Sequence, residues 1–286
     1  MAHFFTHETT DRFQQYLTES EKAPATIEKY LRDLRSFISF AGEEAVTAET
    51  IIRYKAHLLQ QLKPTSINSI LSALNHFFSW CGWNLRARQL KIQHQLFRAE
   101  EQELSREDYV RLLDTARSAG KEQLWLVMQT LCGTGIRVSE LRFITVEAVR
   151  QGKTSIQCKG KNRTILIPRQ LQGLLLGYAL RMKRTTGPVF VTRAGNPLDR
   201  SNIWRALKSL CEAAGVLASK VFPHNLRHLF AATFYEAAKD IAKLADVLGH
   251  SSIDTTRIYI TTSGSLHRQI IERLGLIQTD VPSLTT

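Results

Sequence analysis

The chain has 286 residues, 43% of them hydrophobic and 22% charged, which is enough to bury a core as one large or two modest domains. Lys and Arg number 38 against 26 Asp and Glu, and the resulting formal charge of +12 favours a polyanionic partner, most simply a nucleic-acid backbone. Cys81, Cys132, Cys158 and Cys211 are widely spaced without a C-x-x-C pair and read as reduced, mostly buried thiols rather than a disulfide framework or a zinc site, no apolar run reaches the ~18 residues of a membrane span, and no secretory leader opens the chain, so a cytoplasmic, unprocessed protein is expected.

Residues 1–85 read as a small bundle of four amphipathic helices. The clearest runs from Thr26 to Ala41, with Ile27, Tyr30, Leu31, Leu34, Phe37 and Ile38 on one stripe and Gly42 as its stop. Another runs from Ser66 to Trp80, and weaker patterns cover Asp11 to Thr18 and Thr47 to Leu62. Lys29, Arg32 and Arg35 are expected outside. Residues 86–103, with Arg86, Arg88, Lys91 and Arg98, read as a basic linker, or equally as a solvated extension of the preceding helix.

A second domain, residues 104–286, opens at Ser105, which caps a helix with Asp108 three positions on. An apolar helix follows from Glu122 to Leu131, and Arg137 starts another after the Gly133-Thr134-Gly135 turn. The period then drops to two between Thr154 and Pro168, a β-hairpin turning around Gly160 to Asn162. Helices resume after Gln170 and again from Arg200, and a short polar tail follows Thr279. The expected fold is mainly α with one small hairpin.

Taken singly, the polar residues of this half are unremarkable: a lone helical arginine is usually a surface charge, and Tyr259 is one of seven tyrosines. Their order matters more. Arg137, His224, Arg227, His250 and Tyr259 supply two guanidiniums for the non-bridging oxygens of a phosphodiester, imidazoles to move protons, and a phenol to attack phosphorus. Gly133 and Gly135 would let backbone approach a ligand, and Glu140 would steady Arg137 from one helical turn away. Arg227 shares a helical face with His224, whereas His228 is expected to point elsewhere and to pack or be hydrogen-bonded. His250, in a Gly-containing turn, is expected to titrate near neutrality.

The motif Gly135-Ile136-Arg137-Val138-Ser139-Glu140-Leu141, together with His224-Asn225-Leu226-Arg227-His228 and Leu248-Gly249-His250-Ser251-Ser252 with Tyr259, resembles the tyrosine recombinases, the phage integrase family. Thr26-Ile27-Glu28-Lys29-Tyr30 and the stretch from Ser66 to Phe78 are similar to helices of that family's N-terminal core-binding domain. The resemblance implies a two-domain clamp around double-stranded DNA, in which Tyr259 forms a 3′-phosphotyrosyl link. It also implies Arg137 and Arg227 on the phosphate, His224 as general acid/base, and His250 on a non-bridging oxygen. A hairpin lysine would protonate the leaving 5′-oxygen.

Here the hairpin reads Cys158-Lys159-Gly160-Lys161-Asn162-Arg163 where the family has G-K-G-x-K. Lys159 is the chosen lysine and Lys161 its competitor. The helix after His228 also lacks the family's glycine before Asp240, and the short N-terminus favours a simple Xer-type recombinase over the arm-binding integrases. No metal or other cofactor is expected, and the implied assembly is a monomer in solution and a homotetramer on two paired sites. The apolar stripe from Ser265 to Leu276 would be a C-terminal helix, docked on its own domain or exchanged with a neighbouring protomer. Two other readings share the fold: a catalytically idle DNA-binding accessory protein and a topoisomerase-like nickase.

Overall fold

The N-terminal apolar stripes fold as α1 (Thr9–Glu19), α2 (Pro24–Ala41), α3 (Ala48–Leu59) and α4 (Pro64–Trp80). Both stronger helices start two residues earlier than their stripes, because Pro24 and Pro64 occupy the first turn, where a missing N–H costs nothing. Thr47 and Thr50 cap α3 reciprocally. The computed structural model describes residues 3–6, 8–92, 103–158, 161–250, 252, 253, 255 and 256, and the chain divides into two compact units, Met1–His94 and Gln95–Thr286.

Phe13, Leu34, Phe37, Ile67, Leu71, Phe77 and Phe78 form the buried centre of the first unit. Each fully buried side chain of this kind is worth roughly 1.5–3 kcal/mol relative to exposure. Arg32 and Arg35 lie outside as expected, but Lys29 does not stand free: its ammonium donates to Asp33 at 2.6 Å and to the Ser69 carbonyl at 3.1 Å, tying α2 to α4. Residues 83–92 do not extend α4 as a helix. They run back along it, held by the side-chain amides of Asn75, paired with the Ala87 backbone at 2.9 and 2.8 Å, and of Asn68, paired with Leu90 at 2.8 and 2.7 Å.

In the second unit, α5 (Arg106–Ser118) carries the expected Ser105–Asp108 capping box, and α6 (Glu122–Thr134) follows. A 3-10 turn (Val138–Phe143) and α7 (Val146–Gln151) lead into the hairpin of β1 (Lys153–Cys158) and β2 (Lys161–Leu166). The strands pair antiparallel with Lys153 opposite Leu166 and Gln157 opposite Asn162, so Asn162 belongs to a strand and not to the turn. Then come α8 (Arg169–Arg181), α9 (Arg200–Lys208), α10 (Pro223–Ala238) and α11 (Ile241–Leu248). The chain from Arg200 is thus broken by residues 209–222, which are turns with one 3-10 segment. Helix α6 sits centrally, against α5, α8 and α10, with Val127, Met128 and Leu131 buried. Among the described residues no helix is long and apolar enough to cross a membrane. The stripe from Ser265 to Leu276 and the tail lie outside the described residues.

Candidate active site

Arg137 does not begin an α-helix. It is the residue that leads into the 3-10 turn, and Glu140 closes that turn on it. The Glu140 carboxylate accepts from the Arg137 backbone N–H at 2.8 Å and from its guanidinium at 2.9 Å. The Arg137 side chain stays 40% exposed while Glu140 is 5% exposed, so the charge is gripped from behind and open in front. Gly135, the left-handed cap of α6, has a different task from the one its motif suggested. A Cβ there would lie 2.3 Å from the Phe230 ring, so the glycine makes room for α10 rather than for a ligand.

Arg227 is 1% exposed, among the most enclosed side chains of the protein. Its guanidinium donates to the Gly135 carbonyl, to the Leu248 carbonyl at 2.8 Å and to His250 Nε2 at 2.9 Å. It therefore ties the cap of α6 to the end of α11 while sitting on α10.

Arg163, on β2, is a member of the cluster that sequence reasoning missed. It donates to Glu140 at 2.9 Å and to the Val247 carbonyl at 3.0 Å, with its stem against Gly249. A Cβ at Gly249 would stand 2.3 Å from Arg163 Cδ. A basic residue in an alternating strand ordinarily faces solvent; the signal available was its place opposite Ile156, which marks the buried face of the hairpin.

His250 follows the Gly249 cap of α11 and is gripped at both nitrogens, by Arg227 at Nε2 and by Thr256 Oγ1 at Nδ1, 2.8 Å away. A guanidinium only donates, so Nε2 is the acceptor and Nδ1 carries the proton. The expectation of titration near neutrality is corrected: burial first, then the charges of Arg227, Arg137, Arg163 and His224, press the pKa down to about 4. The ring is neutral at physiological pH.

Because the unfolded chain binds this proton more readily, stability is fully present above the ordinary value of 6.5 and is lost as pH falls through about 4. His76, also lowered by burial, contributes with the same sign. His250→Gln should flatten part of the fall in urea midpoint across that window; an unchanged slope would take the effect away from this ring.

His224 is exposed on the first turn of α10, and His228 lies edge-on against it with ring centroids 4.8 Å apart. His228 therefore does not point elsewhere; residues four apart on a helix share a face. The structure thus brings Arg137, His224, Arg227 and His250 into one cluster and adds Glu140, Arg163 and Thr256. Lys159 and Tyr259 lie outside the described residues, and Lys161 is placed in β2 without a described side chain.

Guanidiniums held from behind, beside a neutral imidazole and an exposed one, have the chemistry to bind a phosphate-like anion. Residues 102–264 match the phage integrase family, and residues 10–84 match the phage integrase N-terminal SAM-like domain. The tyrosine recombinase XerA of Thermococcus kodakarensis is 30% identical, with 95% of this chain and 97% of that protein covered. Among solved structures, a XerA recombinase superposes with a TM-score of 0.54 at 25% identity, covering 96% of this chain and 100% of that one. A lambda integrase tetramer bound to a Holliday junction shares the fold, with a TM-score of 0.73 at 16% identity over 98% of this chain and 80% of that one. The chain belongs to the phage integrase family: it is a tyrosine recombinase, with Xer recombinases among its relatives.

Proposed function

We propose that this protein is a site-specific DNA recombinase that cuts and rejoins strands through a 3′-phosphotyrosyl intermediate, as a tetramer on two paired sites. The observation that carries the reading is the Arg227–His250 pair set beside the half-exposed Arg137, a ready receptor for one phosphodiester. In the first step the Tyr259 oxygen attacks phosphorus, the P–O5′ bond breaks, and a free 5′-hydroxyl leaves.

Arg137 and Arg227 stabilise the charge that builds on the non-bridging oxygens, and His250 contacts one of them. That contact requires a proton on Nε2, which the negative charge of a bound phosphate favours. His224, exposed at the helix start, takes the phenol proton and returns it when the 5′-hydroxyl of a partner strand reverses the step. Lys159 protonates the leaving oxygen. In this reading residues 1–85 bind the core site, residues 86–103 connect, and residues 104–286 carry catalysis and the exchanged C-terminal helix. Free protein is a monomer, the place of action is the cytoplasm, and no metal takes part.

The test is a nicked suicide substrate in excess EDTA, scored for an SDS-resistant protein–DNA adduct. Wild type should form it. Lys159→Ala should form it at least tenfold more slowly and recover on a 5′-phosphorothiolate substrate, whose sulfur leaves without a proton. Recovery of Lys161→Ala in its place would reassign the lysine, and an absolute Mg²⁺ requirement for cleavage would sink the mechanism.

A further inference from the structure

One bond of the cluster is used by no step above: His250 Nδ1 donates to Thr256 Oγ1 at 2.8 Å. Thr256 is polar yet has no exposed surface, and it lies three residues ahead of Tyr259 in sequence. We infer that Thr256 is a positioning residue for strand transfer, whose hydroxyl keeps a proton on His250 Nδ1 and so leaves Nε2 as the ring nitrogen that gains one when a phosphate enters. The inference rests on the proposed contact between His250 and a non-bridging oxygen.

A neutral imidazole has two tautomers, and only one suits each neighbour. With the proton on Nδ1, the Nε2 lone pair receives the Arg227 donor at 2.9 Å and the Thr256 oxygen receives the other side. With the proton on Nε2, the ring would meet a guanidinium donor head-on. Among the described residues the charged and titratable groups facing the ring are Arg227 and His224 from α10, Arg137 from the 3-10 turn and Arg163 from β2, with Glu140 as the counter-charge to Arg137 and Arg163. All except Glu140 oppose a second proton while the site is empty.

A phosphodiester reverses that balance. Nε2 then gains a proton and changes from accepting the Arg227 donor to donating towards the phosphate, and the released Arg227 N–H turns to the same anion. Thr256 can accept from Nδ1 in both states, so the ring need only tilt about that bond, without flipping, to turn Nε2 from Arg227 towards the anion. A valine in its place would leave the Nδ1 proton without an acceptor in a buried site, a cost of the same order as the Arg227 bond that favours this tautomer, so the two tautomers would compete.

The experiment uses the full chain with 15N-labelled histidine, assigning the ring by comparison with His250→Gln, and reads the tautomer without DNA. It then reads cleavage of a nicked site against pH. Wild type and Thr256→Ser should show the proton on Nδ1 and cleave within about twofold of each other. Thr256→Val should lose that tautomer, cleave about tenfold more slowly, as expected for one lost hydrogen bond, and show a displaced pH profile. A wild-type ring protonated on Nε2, or an unaltered tautomer in Thr256→Val, overturns the inference. A lost tautomer with unaltered cleavage leaves the positioning intact and removes the proposed phosphate contact of His250.

Discussion

Tyr259→Phe is expected to bind DNA as wild type does and to form no covalent adduct. The substitution keeps the aromatic ring and removes only the attacking oxygen, so cleavage should fall on the order of 10⁴-fold or more. The measurement is paired: a binding titration, and SDS gels of the same mixtures on a nicked site. The other six tyrosines make poor substitutes. Tyr54 and Tyr178 are buried, and Tyr109 is held protonated by burial beside Cys132. Tyr16 and Tyr30 pack their rings against His76 in the first unit, and Tyr235 packs against the small cluster of Ala231, Leu244 and Leu248 with Lys239 over its ring. An adduct that persisted in Tyr259→Phe would require one of these to leave its packing, and would refute the assignment of the nucleophile.

The elements were legible where one physical signal acted alone. Helical stripes marked α2 and α4, the Ser105–Asp108 pair marked the start of α5, and alternation marked the hairpin. Errors fell where tertiary contact overrode local pattern. Gly135 looks like a ligand-approach glycine in sequence, but its left-handed backbone and the Phe230 ring account for it. Arg163 receives no role from the sequence, because nothing local announces that Glu140 and the Val247 carbonyl will meet it. His250 reads as a near-neutral imidazole because its turn is visible and the three arginines around it are not. Chemistry-bearing residues could thus be nominated from order and spacing, whereas their protonation and mutual anchoring depend on packing.

That anchoring concentrates in Glu140, so Glu140→Ala should damage fold and chemistry together. One carboxylate, 5% exposed, serves the Arg137 backbone at 2.8 Å, its guanidinium at 2.9 Å and Arg163 at 2.9 Å. Removing it strips the counter-charge from Arg163, whose side chain is only 7% exposed. Breaking a buried pair from one side costs about 3–5 kcal/mol, a large part of the roughly 5–15 kcal/mol that holds a domain folded. Arg137 also loses its grip from behind, and a displaced phosphate donor should slow cleavage about 10²–10³-fold.

The two effects separate in the double variant Glu140→Met with Arg163→Met, which replaces the buried pair by apolar chains and leaves no orphaned charge. Its urea midpoint should recover most of what Glu140→Ala lost, while cleavage stays low because Arg137 is still unanchored. Stability within about 1 kcal/mol of wild type in Glu140→Ala would show that Arg163 does not depend on this carboxylate. Recovery of cleavage together with stability would show that Glu140 acts on the reaction only through the fold.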